Sequence, residues 1–317
     1  MPEERYPRDL MELEADFATE DACRAYLAEL RWPSGFRCPR CRSDKAWTVR
    51  GRWECGGCGR QTSVTAGTIF QDTRTPLPVW FRAMWWVTTQ KNGASALGLQ
   101  RVLGLKEYRT AWTMLHRLRR AMVRPGRDLL TGRVEVDECY VGGLEEGLPG
   151  RLNLKKALVV VAAQEDGPGI GRIRMRQILD ASAESLMPFV QDSVEAGSVI
   201  HTDGWLGYSP LESQGYVHQV TFLKGKKKTP SELMPRVHRV ISLLKRWLMG
   251  THQGAVSHKY LDYYLDEFTF RFNRRRSKSR GKLFFRLAQQ AVAVDPVTNY
   301  RMVHPRSRPK AQSVGVT

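Results

Sequence analysis

Long apolar runs are missing from this chain. The longest, Ala157 to Ala163, has seven residues, far below the roughly 20 that span a bilayer. The opening MPEERYPRDLMELEADF lacks the charged-then-apolar pattern of a secretory signal. A soluble protein that stays in the cytoplasm is the expectation. Cysteine is also sparse: six in 317 residues do not make a disulfide scaffold. Acidic side chains are outnumbered, 32 against 50 Lys and Arg, for a net charge of +18. Aromatics are not lacking, and 9 Trp, 10 Tyr and 11 Phe exclude disorder throughout. The length allows two or three domains with at least one sizeable core, and no internal repeat is visible.

The excess charge is clustered. Between Arg101 and Arg127 eight basic residues stand against Glu107 alone, and from Lys224 to Arg286 there are 17 against Glu232, Asp262, Asp266 and Glu267. Charge scattered for solubility would not partition this way, so a polyanionic partner is the economical explanation, with solvated basic surface as the alternative. An anionic membrane would attract similar clusters, but the interleaved Trp, Tyr and Phe read as core rather than insertion wedges.

Four stretches separate along the chain: residues 1–70 with the paired cysteines and an amphipathic segment near Asp21–Leu30; 76–125, helical; 131–293, β-rich runs followed by helices; and 294–317, a basic tail expected to be poorly ordered. In the first, Cys38-x-x-Cys41 and Cys55-x-x-Cys58 are separated by 13 residues. Two such knuckles bring four thiolates to tetrahedral corners around structural Zn²⁺, and Gly56, Gly57 and Gly59 suit the tight second turn. The alternative is redox dithiols or buried free cysteines. Cys23 and Cys139 fall outside the pattern and read as core. Trp80, Trp85 and Trp86 sit at helical spacing and read as core too.

In ASALGLQRVLGLKEYRTAWTMLHRLRRAM one helix ends near Gly104 and a second opens with Tyr108, Arg109, Thr110 and Thr113, followed by Arg117. Polar groups in the first turns of a second helix are where a helix-turn-helix meets bases and phosphates, although a plain helical pair in a bundle would read similarly. Next, RVEVDECY alternates so that a strand delivers Asp137 to a sheet end beside Glu138, and SVIHTDGWLGY ends a second strand at Asp203. Two strand-end aspartates amid basic segments suit a two-metal phosphodiester site, with hard oxygen donors for Mg²⁺. Singly, each would read as a cap or turn residue.

The order CPRC…CGGC, then TAWTMLHRLRRAM, VEVDECYVGG, HTDGWLGY and GTHQGAVSHKYLDYYLDEFTFRFNRRRS resembles bacterial insertion-sequence transposases with an N-terminal zinc ribbon and an ISXO2-like, DDE-type catalytic domain. The resemblance reaches to about residue 293. It implies a multidomain α/β protein: zinc ribbon, helix-turn-helix, and an RNase H-like mixed β-sheet with flanking helices. It also implies catalytic Mg²⁺ or Mn²⁺, double-stranded DNA at element ends and target as partner, and a homo-oligomer on DNA, nucleoid-associated in a bacterial cytoplasm. Asp137 and Asp203 match the first two catalytic aspartates. The third position departs from the pattern. Where relatives read Glu, three residues, Ser-Leu-Leu-Lys, this chain reads HRVISLLK, with His238 in the Glu place, 35 positions after Asp203, and Lys245 in the Lys place. Lys245, two helical turns on, faces the same way and suits a phosphate. Imidazole can ligate Mn²⁺ but is softer than Mg²⁺ prefers. If His238 is no ligand, Glu138 and Glu232 are the remaining carboxylates. Arg274, Arg275 and Arg276 are expected on the DNA backbone. The expected activity is strand cleavage and strand transfer at terminal inverted repeats. The rival readings are a DNA-binding regulator that has lost chemistry at His238 and a non-transposing nuclease on the same fold.

Overall fold

The computed structural model describes residues 4–124, 126–142, 156–222, 229–254 and 256–303. In chain order these form α1 (Leu10–Asp16), α2 (Glu20–Arg31), β1 (Ala46–Val49), β2 (Arg52–Cys55), β3 (Gln61–Thr62), α3 (Leu77–Thr89), α4 (Ala96–Leu103) and α5 (Tyr108–Ala121). Then come β4 (Arg133–Val141), β5 (Ala157–Asp166), β6 (Gly169–Ile178), α6 (Ala183–Ser193), β7 (Val199–Thr202) and β8 (Val217–Val220). The rest is helical: α7 (Pro230–Leu233), α8 (Pro235–His252), α9 (Leu261–Asn273), α10 (Arg280–Ala293) and α11 (Asn299–Val303). The described residues of Met1–Pro125 and Arg276–His304 form one unit, and those of Gly126–Arg275 the other.

In the first unit β1, β2 and β3 make a small antiparallel sheet. Its inner face carries Trp53 against Trp32 and Phe36, beside Cys38 and Cys55. The helices close around an aromatic cluster in which Phe17 lies 4.7 Å from Phe81 and 4.8 Å from Tyr26. Phe284 of α10 joins it, 5.6 Å from Phe81. This corrects an expected boundary: α10, which the sequence places at the end of the catalytic domain, belongs to the first unit because its apolar face completes that cluster. Gly281 permits the approach, since a Cβ there would run into the carbonyl of Pro7. The tail expected to be poorly ordered begins with α11, which buries Met302. Residues 304–317, the remainder of that expectation, lie outside the described residues.

The second unit is built on a five-stranded mixed sheet in the order β6-β5-β4-β7-β8. Strands β4, β5 and β6 form an antiparallel meander; β7 joins β4 in parallel after α6, and β8 runs parallel to β7. This is the RNase H-like sheet expected. Strand β5 reads ALVVVAA without alternation because both faces are covered. Leu158, Val160 and Ala162 pack with α6 residues on one side. Val159, Val161 and Ala163 pack on the other with residues of α8 and α9.

An edge strand with unpaired N–H and C=O groups invites foreign pairing unless something covers it. Helix α9 covers β6. Asn273 accepts from the Ile173 amide at 2.7 Å and donates to the Ile173 carbonyl at 3.2 Å. Asp262, one end of the helix away, accepts from the Gln177 amide at 3.1 Å. Arg275 donates to the carbonyls of Gly171 and Ile170. The DEFTFRFNRR segment is therefore a strand cover as much as a basic one.

Candidate active site and zinc centre

The zinc knuckles close as their spacing requires. The Sγ atoms of Cys38 and Cys58 are 3.7 Å apart, those of Cys41 and Cys55 3.4 Å, and all four lie within 4.8 Å of one another. Backbone N–H groups point at the sulfurs, Arg40 N to Cys38 and Gly57 N to Cys55, each at 3.4 Å. Such donors stabilise thiolate, and the amides of Cys41 and Arg40 help pull Cys38 down to about 6. Gly59, at φ +66°, closes the second knuckle in a left-handed turn. The four thiols fit one tetrahedral Zn²⁺. Cys23 and Cys139 are buried in apolar surroundings, and burial pushes both thiols up to about 12, as inert core residues should be.

Helix α4 is capped by Ser95, whose Oγ accepts from Gly98 N, and ends at left-handed Gly104, φ +61°. Helix α5 follows after a short turn, with Tyr108 and Arg109 exposed and Thr110 and Thr113 half-buried in its first turns. Arg117 does not join them. Its Nη1 donates to the carbonyls of Ile69 and Gln71 at 3.1 and 3.0 Å, so it ties the loop before α3 to α5. Arg119 is buried likewise, donating to Ala94 O. The basic run thus divides by helical phase into exposed and inward cations, a division that charge counting misses. Among the second cluster, Arg274 lies over the Phe270 ring at 4.0 Å and Arg275 over Phe272 at 4.0 Å, the latter also holding the sheet edge. Arg276 is exposed, and the lysines at 224 and 226–228 lie outside the described residues.

Asp137 sits in the middle of β4, paired with Val161, and not at a strand end as its alternation suggested, because β4 continues to Val141 against β5; Asp203 directly follows β7, the parallel neighbour of β4. Glu135 is paired with His201 in register, so Asp137 and Asp203 are each two residues farther on. The Asp203 carboxylate accepts from Trp205 N at 3.0 Å, which turns the chain at Gly204. On α8, His238 Nε2 comes within 3.8 Å of Asp137 Oδ2. That nitrogen is buried and has no hydrogen-bond partner among the described residues. Burial holds the imidazole below its ordinary pKa, against the pull of Glu135 and Asp203, which favours the neutral ring. Lys245 is exposed on the same helix, and its charge reaches Cys139, two residues beyond Asp137.

The other carboxylates are committed elsewhere. Glu138 accepts from the buried Tyr208 hydroxyl at 2.9 Å, which ties the 3-10 helix Leu206–Gln214 to β4. Glu232 closes a capping box with Thr229 at the start of α7. Sequence reading missed Tyr208, Glu135 and Arg236; the period of two in VEVDEC, which puts Glu135 on the Asp137 face, was the available signal for one of them. Among the described residues, only the four cysteines have ligand atoms all within 4.8 Å. One ion needs that convergence, whereas a pair of ions about 4 Å apart does not. The Asp137 carboxylate and the His238 nitrogen, with Asp203 just after the adjoining strand, are donor types that divalent metals take.

Residues 129–273 match the family model described as ISXO2-like transposase domain, and residues 18–61 that described as transposase zinc-ribbon domain. Over these two stretches the chain is similar to an ISXO2-like transposase domain and to a transposase zinc ribbon. A relative from Halobacterium salinarum, described as an uncharacterized protein in transposable element ISH50, is 27% identical over 279 residues, 80% of this chain and 91% of that protein. Among solved structures, the Mos1 strand transfer complex matches with TM-score 0.29 and 12% identity over 67% of this chain and 75% of its own. The fold is assigned on the strand order above and not on that likeness. No helix among the described residues is long and apolar enough to cross a membrane.

Proposed function

We propose that this transposase-family chain is an active DNA transposase that binds the terminal inverted repeats of an insertion sequence and carries out strand cleavage and strand transfer. The observation that carries the reading is the Asp137–His238 contact at 3.8 Å, with Asp203 directly after the adjoining strand. Asp137, Asp203 and His238 would hold Mg²⁺ or Mn²⁺. When bound, such ions acidify the attacking hydroxyl and stabilise the leaving oxygen in in-line transfer at phosphorus. His238 donates a neutral nitrogen where relatives have a carboxylate, which leaves the site one negative charge short and favours Mn²⁺. Lys245 meets a phosphate, Arg109, Thr110 and Thr113 read the element end, and exposed Arg276 adds a backbone contact. Zinc holds the ribbon, and the protein works in the cytoplasm as a homo-oligomer on DNA.

The missing charge also supports a second reading, a catalytically impaired DNA-binding regulator. Cleavage of an end-bearing duplex with each metal separates the two. Activity in the parent, its loss in Asp137→Asn and Asp203→Asn, its loss in His238→Ala, and a shift from Mn²⁺ toward Mg²⁺ in His238→Glu support the transposase. End binding by the parent with no cleavage under either metal establishes the regulator instead.

A further inference from the structure

We propose that Glu135 is a positioning residue that seats the His238 imidazole against Asp137 by anchoring the start of α8. The inference rests on the reading of Asp137, Asp203 and His238 as the metal site. A helix begins with amides that have no partner within it. Helix α8 opens with Pro235, which has no N–H, and Met234 before it supplies no side-chain cap. The first two amides, of Arg236 and Val237, donate to one oxygen of Glu135, at 2.8 and 2.9 Å. The other oxygen takes the Arg236 guanidinium at 3.1 Å.

The next residue is His238. An acid on β4 therefore fixes both the height and the rotation of the turn that carries the imidazole. Glu135 shares a strand face with Asp137 two residues on, so one strand holds the metal-side carboxylate and the anchor of its partner. The carboxylate is only 2% exposed, and three donors satisfy it. Arg236 is fixed in turn by Glu165 at 2.7 Å and by the carbonyls of Gly167 and Gly169. Fully engaged, Glu135 does not itself stand in for the third ligand.

The test is a coupling cycle on the zinc-loaded full chain, with Mn²⁺ affinity read from the free-ion electron paramagnetic resonance signal. Glu135→Gln should weaken Mn²⁺ binding by about 10-fold, the scale at which groups behind a ligand act. In a His238→Ala background it should weaken binding no further, because its effect passes through the imidazole. An equal loss in both backgrounds overturns the proposal, since it would mean direct ligation or a general loss of fold. Should Glu135→Gln fail to fold, Glu135→Asp keeps the charge with a shorter reach and enters the same cycle with the same two outcomes. If Asp137→Asn leaves Mn²⁺ binding unchanged, the site reading has failed and this inference with it, which is distinguishable from additivity between Glu135 and His238.

Discussion

The cysteine cluster and the aspartate–histidine site are assembled in opposite ways. Cys38 and Cys58 are 20 positions apart and meet through one short hairpin, so their geometry follows from two tight turns. Asp137 and His238 are 101 positions apart and meet through a five-stranded sheet against which α8 is held by its bonds to Glu135 on β4. The local centre depends on its ion; the assembled one depends on the fold around it.

Removing zinc breaks the comparison on the local side, and has the largest expected effect. Structural zinc in small knuckle domains is worth roughly 10–16 kcal/mol near pH 7. Chelation should release one Zn²⁺ per chain and abolish the protection of amides in 36–62, while amides of β4 and β5 keep theirs. Hydrogen exchange with and without chelator checks this, and simultaneous loss in both regions would erase the contrast.

On the assembled side, Asn273→Ala removes both side-chain bonds to Ile173. About 2 kcal/mol of stability should go with them, at roughly 1 kcal/mol each, and denaturant unfolding should report it without zinc loss. A smaller and more selective effect is expected at α5. Arg109→Ala should reduce discrimination between element end and random duplex by about 1–3 kcal/mol. Arg117→Ala should instead lower stability and leave discrimination unmoved, because its guanidinium serves Ile69 and Gln71. Competition binding and melting of both variants decide it.

The smallest effect concerns acid. His201, His218 and His238 all lie below the ordinary imidazole value, chiefly through burial. The folded state thus prefers the neutral rings. Stability of the Gly126–Arg275 unit should be full above about pH 6.5, and should decline as pH falls from there toward the lower folded values, since the unfolded chain then binds protons that the fold resists. Melting between pH 7.5 and 5.5 measures it; a stability that rises on acidification contradicts the sign.

Motifs with local logic were readable. The knuckle cysteines, the Ser95-to-Gly104 helix with its successor, and the strand that ends just before Asp203 all follow from local spacing. Arg117 turns to the Ile69 and Gln71 carbonyls and Arg275 holds the sheet edge, roles that charge alone does not reveal because a cation's direction depends on helical phase and on what packs beside it. Tyr208 was missed because GWLGYSP carries no periodic signal, although its hydroxyl secures Glu138. Helix α10 follows the basic segment in sequence, yet its Phe284 belongs with Phe17 and Phe81 far upstream.

The sequence by itself determined the chemistry on offer: four thiols at knuckle spacing, two aspartates in β-patterned runs, a histidine 35 positions after the second of them, and a cationic excess in two blocks. Those facts are local, set by residue type and by the periods of strand and helix. Only the tertiary structure decided which groups meet. Glu135 became an anchor and Glu138 a partner of Tyr208, because successive side chains of one strand leave on opposite faces and each face receives a different element.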